Sequence, residues 1–113
     1  MNDAVKSLSA LAQGTRLAIF RLLVQAGPAG MAAGSIGEKL ALPPATLSFH
    51  LAGLTRARIA RSRQEGRFII YSADFESMNQ LVGYLTENCC GGKSRDVRPG
   101  DENEKATRTR RRA

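Results

Sequence analysis

The chain has 113 residues, of which 42% are hydrophobic, and a formal net charge of +7. This length fits one domain of about 100 to 150 residues and leaves no room for a separate catalytic domain. The excess of Lys and Arg indicates a polyanionic partner. Without an apolar run of about 18 residues or a signal-peptide pattern, we expect a cytoplasmic protein that does not associate with membranes.

The first third of the chain has the apolar periodicity of helices. A first helix is expected over residues 3–13. Thr15 is placed to cap a second helix, which is apolar nearly all round, should be buried and should end at Gly27. A loop rich in Gly and Ala follows, and Ser35 with Glu38 forms the pattern of a capping box at the start of a third helix.

A fourth helix is expected to begin at about Pro44, after a tight turn. Two short helices joined in this way indicate a helix-turn-helix, whose second helix reads bases in the major groove of DNA. Thr46 and Ser48 place short hydrogen-bonding side chains near its start. Its inward stripe consists of three leucines: Leu47, Leu51 and Leu54.

The period then changes to two, which predicts strands over 59–63 and 67–72 joined by a turn at 64–66. Phe68 and Tyr71 are expected to pack in the core or within the hairpin. Arginine side chains suit contacts with DNA phosphates, although a solvated basic hairpin is the plain alternative. The twelve residues from 56 to 67 hold one acid, Glu65, and five arginines: Arg56, Arg58, Arg61, Arg63 and Arg67.

Asp74 is placed to cap a last helix over 74–88, which Gly91 and Gly92 should end. The element order α-α-α-α-β-β-α predicts a mainly helical protein with a β-hairpin wing, a winged helix-turn-helix. Residues 91–113 carry eight basic and four acidic side chains, and Val97 is their one sizeable aliphatic residue. We therefore expect a folded domain over 3–90 and a flexible basic tail over 91–113.

Cys89 and Cys90 are the only two cysteines and are adjacent. A disulfide between neighbours would be strained, because their Cα atoms lie about 3.8 Å apart and disulfides prefer about 4.4 to 6.8 Å. Such a thiol pair favours a thiophilic ion such as arsenic(III), Cu(I) or zinc, with redox sensing as an alternative. His50, the only histidine, lacks partners for a metal site, so packing or a structural hydrogen bond is expected there.

Three stretches together resemble the arsenic-repressor (ArsR/SmtB) family of bacterial transcription factors. They are residues 8–17, which read LSALAQGTRL, the recognition-helix segment 42–54, which reads LPPATLSFHLAGL, and the wing 61–71, which reads RSRQEGRFIIY. The similarity covers residues 5–90. It implies a homodimeric winged helix that represses a promoter by binding an inverted-repeat operator until a thiophilic ligand releases it.

The resemblance also implies site residues. The cysteine pair at the end of the last helix resembles a subgroup of arsenic repressors with vicinal cysteines there. That subgroup commonly has a third cysteine, which this chain lacks. Many relatives have Gly where this chain has Arg58. The expected DNA contacts are Pro44, Ala45, Thr46, Ser48, Phe49, His50, Arg56, Arg61, Arg63 and Arg67, and the expected dimer interface consists of Val5, Leu8, Leu11, Met78, Leu81, Val82 and Leu85.

The sequence thus predicts a repressor that releases DNA when trivalent arsenic, as arsenite or methylarsenite, or the related antimonite binds Cys89 and Cys90. No organic cofactor is expected. A thiol redox repressor of the same fold is one alternative, and a protein that binds and buffers arsenicals is another. An enzyme is not expected, because the chain has no phosphate-binding loop, no paired acids and no nucleophile with a base.

Overall fold

A computed structural model of the chain describes residues 2–92. Five helices and three strands follow one another as α1 (Asn2–Leu11), α2 (Gly14–Ala26), β1 (Met31–Ala32), α3 (Ala33–Leu40), α4 (Pro44–Arg56), β2 (Ala60–Glu65), β3 (Phe68–Ala73) and α5 (Phe75–Leu85). Short 3-10 helices lie at Gly27–Ala29 and Cys89–Gly92. The predicted fold class, mainly helical with a hairpin wing, is confirmed.

The chain divides into two compact units, residues 1–81 and residues from Val82 onward. The predicted tail over 91–113 lies outside the described residues beyond Gly92 and stays a prediction. None of the helices in the described part of the chain has the length and apolarity that crossing a bilayer requires.

The core of the first unit is built around α2, which contacts α1, α3, α4 and β3. Its fully buried side chains come from α2, α3, α4 and the start of the wing, so that the helix-turn-helix and the hairpin share one core. Burial of these aliphatic side chains supplies the main driving force for folding. The six largest are Ile19, Leu23, Ile36, Leu51, Leu54 and Ile59.

The start of α2 differs from the prediction that Thr15 is its cap. The cap is Gln13, whose side-chain oxygen accepts a hydrogen bond of 2.9 Å from the backbone N–H of Arg16. The helix therefore starts at Gly14, one residue before the predicted cap, and α1 ends at Leu11. The predicted end at Gly27 is confirmed, because Gly27 has φ of +78° and its N–H bonds back to two carbonyls of α2.

The predicted capping box at Ser35 is wrong. Helix α3 begins at Ala33, so Ser35 lies inside its first turn. The loop predicted before it contains β1, in which Ala32 pairs with Ile70 of β3. Because this pairing fixes Ala32 in an extended conformation, the helix starts immediately after it without a side-chain cap.

The three strands form an antiparallel sheet in the order β1-β3-β2. Glu65 pairs with Phe68, which leaves Gly66 and Arg67 as a two-residue turn rather than the predicted turn at 64–66. Gly66 has φ of +62°, a conformation that glycine adopts without steric cost at the first position of a tight hairpin turn. Arg67 consequently lies at the tip of the hairpin instead of opening the second strand.

Candidate DNA-binding surface and cysteine pair

The turn between α3 and α4 positions the recognition helix. Ala41 adopts a left-handed conformation with φ of +54°, and the N–H of Leu42 donates to the carbonyl of Gly37 over 3.0 Å. This hydrogen-bonded end of α3 reverses the chain, and Pro44 then opens α4 as predicted. The exposed residues of the first two turns of α4 are Pro44, Ala45, Thr46, Ser48 and Phe49, all expected DNA contacts.

His50 does not belong to that exposed surface. His50 is only 8% exposed, and its Nδ1 accepts a hydrogen bond of 3.1 Å from Nε of Arg16. The expected direct DNA contact is therefore corrected: His50 joins α4 to α2, which is the structural hydrogen bond that the sequence predicted as its other role.

Arg16 is a residue that the sequence argument missed. Besides its bond to His50, its guanidinium carbon lies 5.4 Å from the ring centroid of Phe49, within the range of a cation–π contact. Its side chain also passes over Gly53, where an added Cβ would lie 2.6 Å from the guanidinium carbon. Arg16 and the bare backbone at Gly53 thus set how α4 sits on α2. The one sign of this packing in the sequence was Gly53, because glycine is unfavourable in the interior of a helix.

The arginines of the wing differ in how freely they can reach DNA. The Arg61 side chain is 71% exposed, and its closest acid, Asp74, is 4.0 Å away. Arg63 is held within the molecule, because its Nε bonds to Glu65 over 2.6 Å and a terminal nitrogen donates to the carbonyl of Ala29 over 2.8 Å. Arg67 is exposed at the hairpin tip. Of these three arginines of the wing, Arg61 and Arg67 are therefore the most accessible to a partner.

Helix α4 ends just before a position where this chain has Arg58 and many members of the family have glycine. Arg58 has φ of +66°, in the left-handed region that glycine favours. Its N–H donates to Thr55 over 3.0 Å and the N–H of Ile59 donates to Leu54 over 3.2 Å, which are the paired bonds of a Schellman helix end. The helix therefore ends as it would with glycine, and Arg58 adds an exposed cation beside Arg56.

Apolar side chains remain uncovered on α1 and on α5. On α1, Val5 is 53% exposed and Leu8 is 43% exposed, and in the second unit Val82 is 48% and Leu85 is 58% exposed. The other expected interface residues, Leu11, Met78 and Leu81, are partly buried, and Leu11 and Met78 pack against the core. The single chain thus leaves apolar surface uncovered on both helices that were predicted to form a dimer.

The cysteines follow α5 rather than ending it as predicted. The helix stops at Leu85, and the hydrogen bonds from Glu87 to Tyr84 and from Cys89 to Thr86 span three residues instead of four. Asn88 then takes φ of +58°, which breaks the helix before the thiols. Cys89 is partly buried and Cys90 is exposed, and both are thiols.

The backbone at the pair turns sharply, since Cys90 has φ of +59° and Gly91 has φ of +70°. Among the described residues no group of three or more His, Cys, Asp or Glu side chains could hold a metal ion. Cys89 and Cys90 offer two soft sulfur donors, and Cys90 is exposed. This donor set suits a ligand that needs two thiolates better than it suits tetrahedral zinc.

The fold and the exposed basic surface define a winged helix-turn-helix DNA-binding protein, and comparisons with known proteins agree. Residues 11–63 match the helix-turn-helix domain family. NolR from Sinorhizobium fredii shares 32% identity over 76% of this chain and 83% of its own, with a TM-score of 0.61. An ArsR-like transcriptional regulator from Rhodococcus sp. RHA1 shares 26% identity over 74% and 76% of the two chains, with a TM-score of 0.66.

A third structure is described as a possible transcriptional regulator for arsenical resistance. It shares 25% identity over 71% of this chain and 80% of its own, with a TM-score of 0.62. No curated protein gives a match. The chain belongs to the ArsR family of winged-helix transcriptional regulators. It is a DNA-binding regulator and not an enzyme, because its family and its structural neighbours are regulators.

Proposed function

We propose that the protein is a homodimeric repressor that leaves its operator when a trivalent arsenical binds Cys89 and Cys90. The observation that carries this proposal is the adjacent thiol pair, with Cys90 exposed, just after α5 in a chain of the ArsR family. The neighbour described as a possible regulator for arsenical resistance lends support, although that description belongs to that protein.

The chemistry of the pair favours an arsenical with two exchangeable oxygens. Methylarsenite has one arsenic position blocked by carbon, so each thiol replaces one hydroxyl, forms one As–S bond and releases one water. Arsenite has a third exchangeable position, and the chain has no third cysteine to fill it. Arsenite would need water, a small thiol or sulfur from a second subunit. Methylarsenite is therefore the expected stronger inducer.

Dimerisation follows from the uncovered apolar residues of α1 and α5. Val5, Leu8, Val82 and Leu85 are each between 43% and 58% exposed in the single chain. Because only three residues separate α5 from Cys89, a ligand that reshapes this segment can alter the dimer contact. Such a ligand releases DNA only if it binds the DNA-incompetent arrangement more tightly.

On DNA, each recognition helix α4 enters a major groove while Arg61 and Arg67 of the wing neutralise phosphates. A symmetric dimer binds an inverted repeat whose half-sites lie about one helical turn, roughly 34–36 Å, apart. Phosphate contacts fix the position of the protein, and the exposed side chains of α4 carry the choice of sequence.

The test is to titrate a complex of the full-length protein and an operator selected from random duplexes. Fluorescence anisotropy follows release by methylarsenite, arsenite, antimonite, zinc and hydrogen peroxide in separate titrations. Release by methylarsenite at a lower concentration than by arsenite is expected. Release by peroxide alone would replace the proposal with a redox repressor. Failure to select any duplex would instead favour a protein that only buffers arsenicals.

A further inference from the structure

The exposed face of the recognition helix is poor in the side chains that usually read bases. From Pro44 to Thr55 the sequence contains no Arg, Lys, Asn, Gln, Asp or Glu. These residues make most of the specific hydrogen bonds to base edges, including the bidentate ones to guanine and adenine. The hydroxyls of Thr46 and Ser48 are the polar groups that α4 exposes before Arg56. Hydrogen bonds from this helix alone therefore distinguish poorly between DNA sequences.

An aromatic side chain occupies the centre of that face. Successive residues of an α-helix are rotated by about 100°, which aligns Phe49 with Ala45 one turn before it and Ala52 one turn after it. All three residues are exposed, and Phe49 is 62% exposed, the largest fraction among the large hydrophobic residues that the structure describes. The centre of the exposed face of α4 is thus apolar.

The ring of Phe49 is supported by two neighbouring side chains, Arg16 and His50. The Arg16 guanidinium lies 5.4 Å from the centroid of its ring, and the His50 ring meets it edge-on at 5.4 Å with an interplanar angle of 66°. The 3.1 Å hydrogen bond from Arg16 to His50 joins the two supporting groups. A ring fixed in this way loses less conformational entropy when it packs against a partner.

We infer that Phe49 is a specificity-determining residue that contacts the C5-methyl group of a thymine, with Arg16 as the positioning residue that orients its ring. This methyl is the apolar group that distinguishes thymine in the major groove, and aromatic side chains are among its partners. The inference rests on the proposed DNA binding and names what the recognition helix selects.

The experiment replaces thymine by deoxyuridine, which removes the methyl and keeps every hydrogen-bonding group. Operators are selected from random duplexes with the full-length protein, and each thymine pair related by the dyad is then substituted in turn. At one position the wild-type protein should lose about fourfold in affinity per methyl, the factor that corresponds to burial of one such group. Phe49→Ala should bind the thymine and deoxyuridine operators equally.

Arg16→Met and Gly53→Ala test the positioning role in two ways, by removing the guanidinium and by displacing it with a methyl group. Both should reduce the thymine-to-deoxyuridine affinity ratio, while the salt dependence of binding to random DNA stays that of the wild type. Arg21→Met, which removes an exposed arginine of the same helix α2, is the matched control and should keep the ratio. Thermal unfolding shows whether each variant is folded.

The inference is overturned if the wild-type protein is indifferent to deoxyuridine at every position, or if Phe49→Ala remains as sensitive as the wild type. It is also overturned if the selected half-sites contain no thymine. In each of these cases specific DNA binding has still been observed, so the proposed function survives. Failure to bind any duplex specifically would remove both.

Discussion

The recognition helix α4 and the last helix α5 are similar in length, 13 and 11 residues, but they differ in how much of each is buried. Helix α4 contains five buried residues, among them Leu51 and Leu54, which are 2% and 0% exposed. Helix α5 contains none, and Leu85 at its end is 58% exposed. The fold of one chain therefore buries much of α4, whereas it leaves apolar side chains of α5 exposed.

This difference has a functional consequence. A reading surface that is packed in advance binds DNA without first having to be ordered. A sensing segment with little packing of its own can change arrangement at small cost, as regions of low local stability do. The proposed repressor thus combines a well-packed recognition helix, α4, with a loosely packed sensing segment, α5 and the two cysteines. Each part can be tested by separate substitutions.

The largest effect is expected from a charge placed on α5. Leu85→Glu should break the dimer and lower operator affinity by roughly a hundredfold or more, because one protomer loses the second half-site. The chain should remain folded, since Leu85 is mostly exposed in the single chain. Light scattering and anisotropy measure the two effects, and Gln80→Glu on an exposed position of the same helix is the control. A Leu85→Glu protein that stays dimeric would remove α5 from the interface.

A matched pair of leucine truncations tests the difference in burial directly. Leu54→Ala should lower the free energy of unfolding by about 2–5 kcal/mol whatever the protein concentration, because it opens a cavity in the core. Leu85→Ala should have an effect that depends on protein concentration, as expected for a residue that acts through the dimer. Urea unfolding at two protein concentrations distinguishes them. Equal, concentration-independent losses would contradict the contrast between α4 and α5.

In the DNA-binding part of the molecule, the wing arginines should differ in how much they contribute to the salt dependence of binding. Arg61→Ala and Arg67→Ala should each reduce the slope of log affinity against log salt by about 0.9, the value for one lost phosphate contact. Arg63→Ala should reduce it less and instead loosen the hairpin, because Arg63 is bonded to Glu65 and to the Ala29 carbonyl. Affinities at four salt concentrations measure the slopes. An unchanged slope for Arg61→Ala would show that the wing does not touch phosphate there.

The smallest effect concerns the end of α4. Arg58→Gly should stabilise the fold by about 1 kcal/mol, because glycine adopts the left-handed conformation without the cost that L-residues bear. The stability gain should appear in urea unfolding. A destabilised variant would mean that the Arg58 side chain contributes more to the fold than its backbone costs.

The sequence predicted the features that depend on local pattern. The leucine stripe of α4 is buried as expected, Pro44 opens that helix, and Asp74 caps α5 by accepting a 3.0 Å hydrogen bond from the N–H of Ser77. Each of these follows from residue spacing within one or two turns. The start of α4, its buried face and the cap of α5 could therefore be predicted from the sequence alone.

Two of the features that escaped prediction depend on residues far apart in the chain. Strand β1 has two residues, too few for any alternation, and exists because Met31 and Ala32 pair with β3. The bond between Arg16 and His50 joins residues 34 positions apart. The position of the thiols after α5 depends on Asn88 taking a left-handed conformation, for which a single asparagine is a weak signal. Contacts between distant residues decide the first two, and a local backbone conformation decides the third.

The central claim, that the cysteine pair is the arsenical switch, is tested most directly by single thiol replacements. Cys89→Ser and Cys90→Ser are compared with wild type and with Glu87→Gln, a control that alters the same segment but keeps both thiols. Operator binding and its release by methylarsenite are followed by anisotropy. Each serine variant should bind the operator as tightly as wild type and should no longer be released, while Glu87→Gln should respond normally. Release of either serine variant at the wild-type methylarsenite concentration would contradict it.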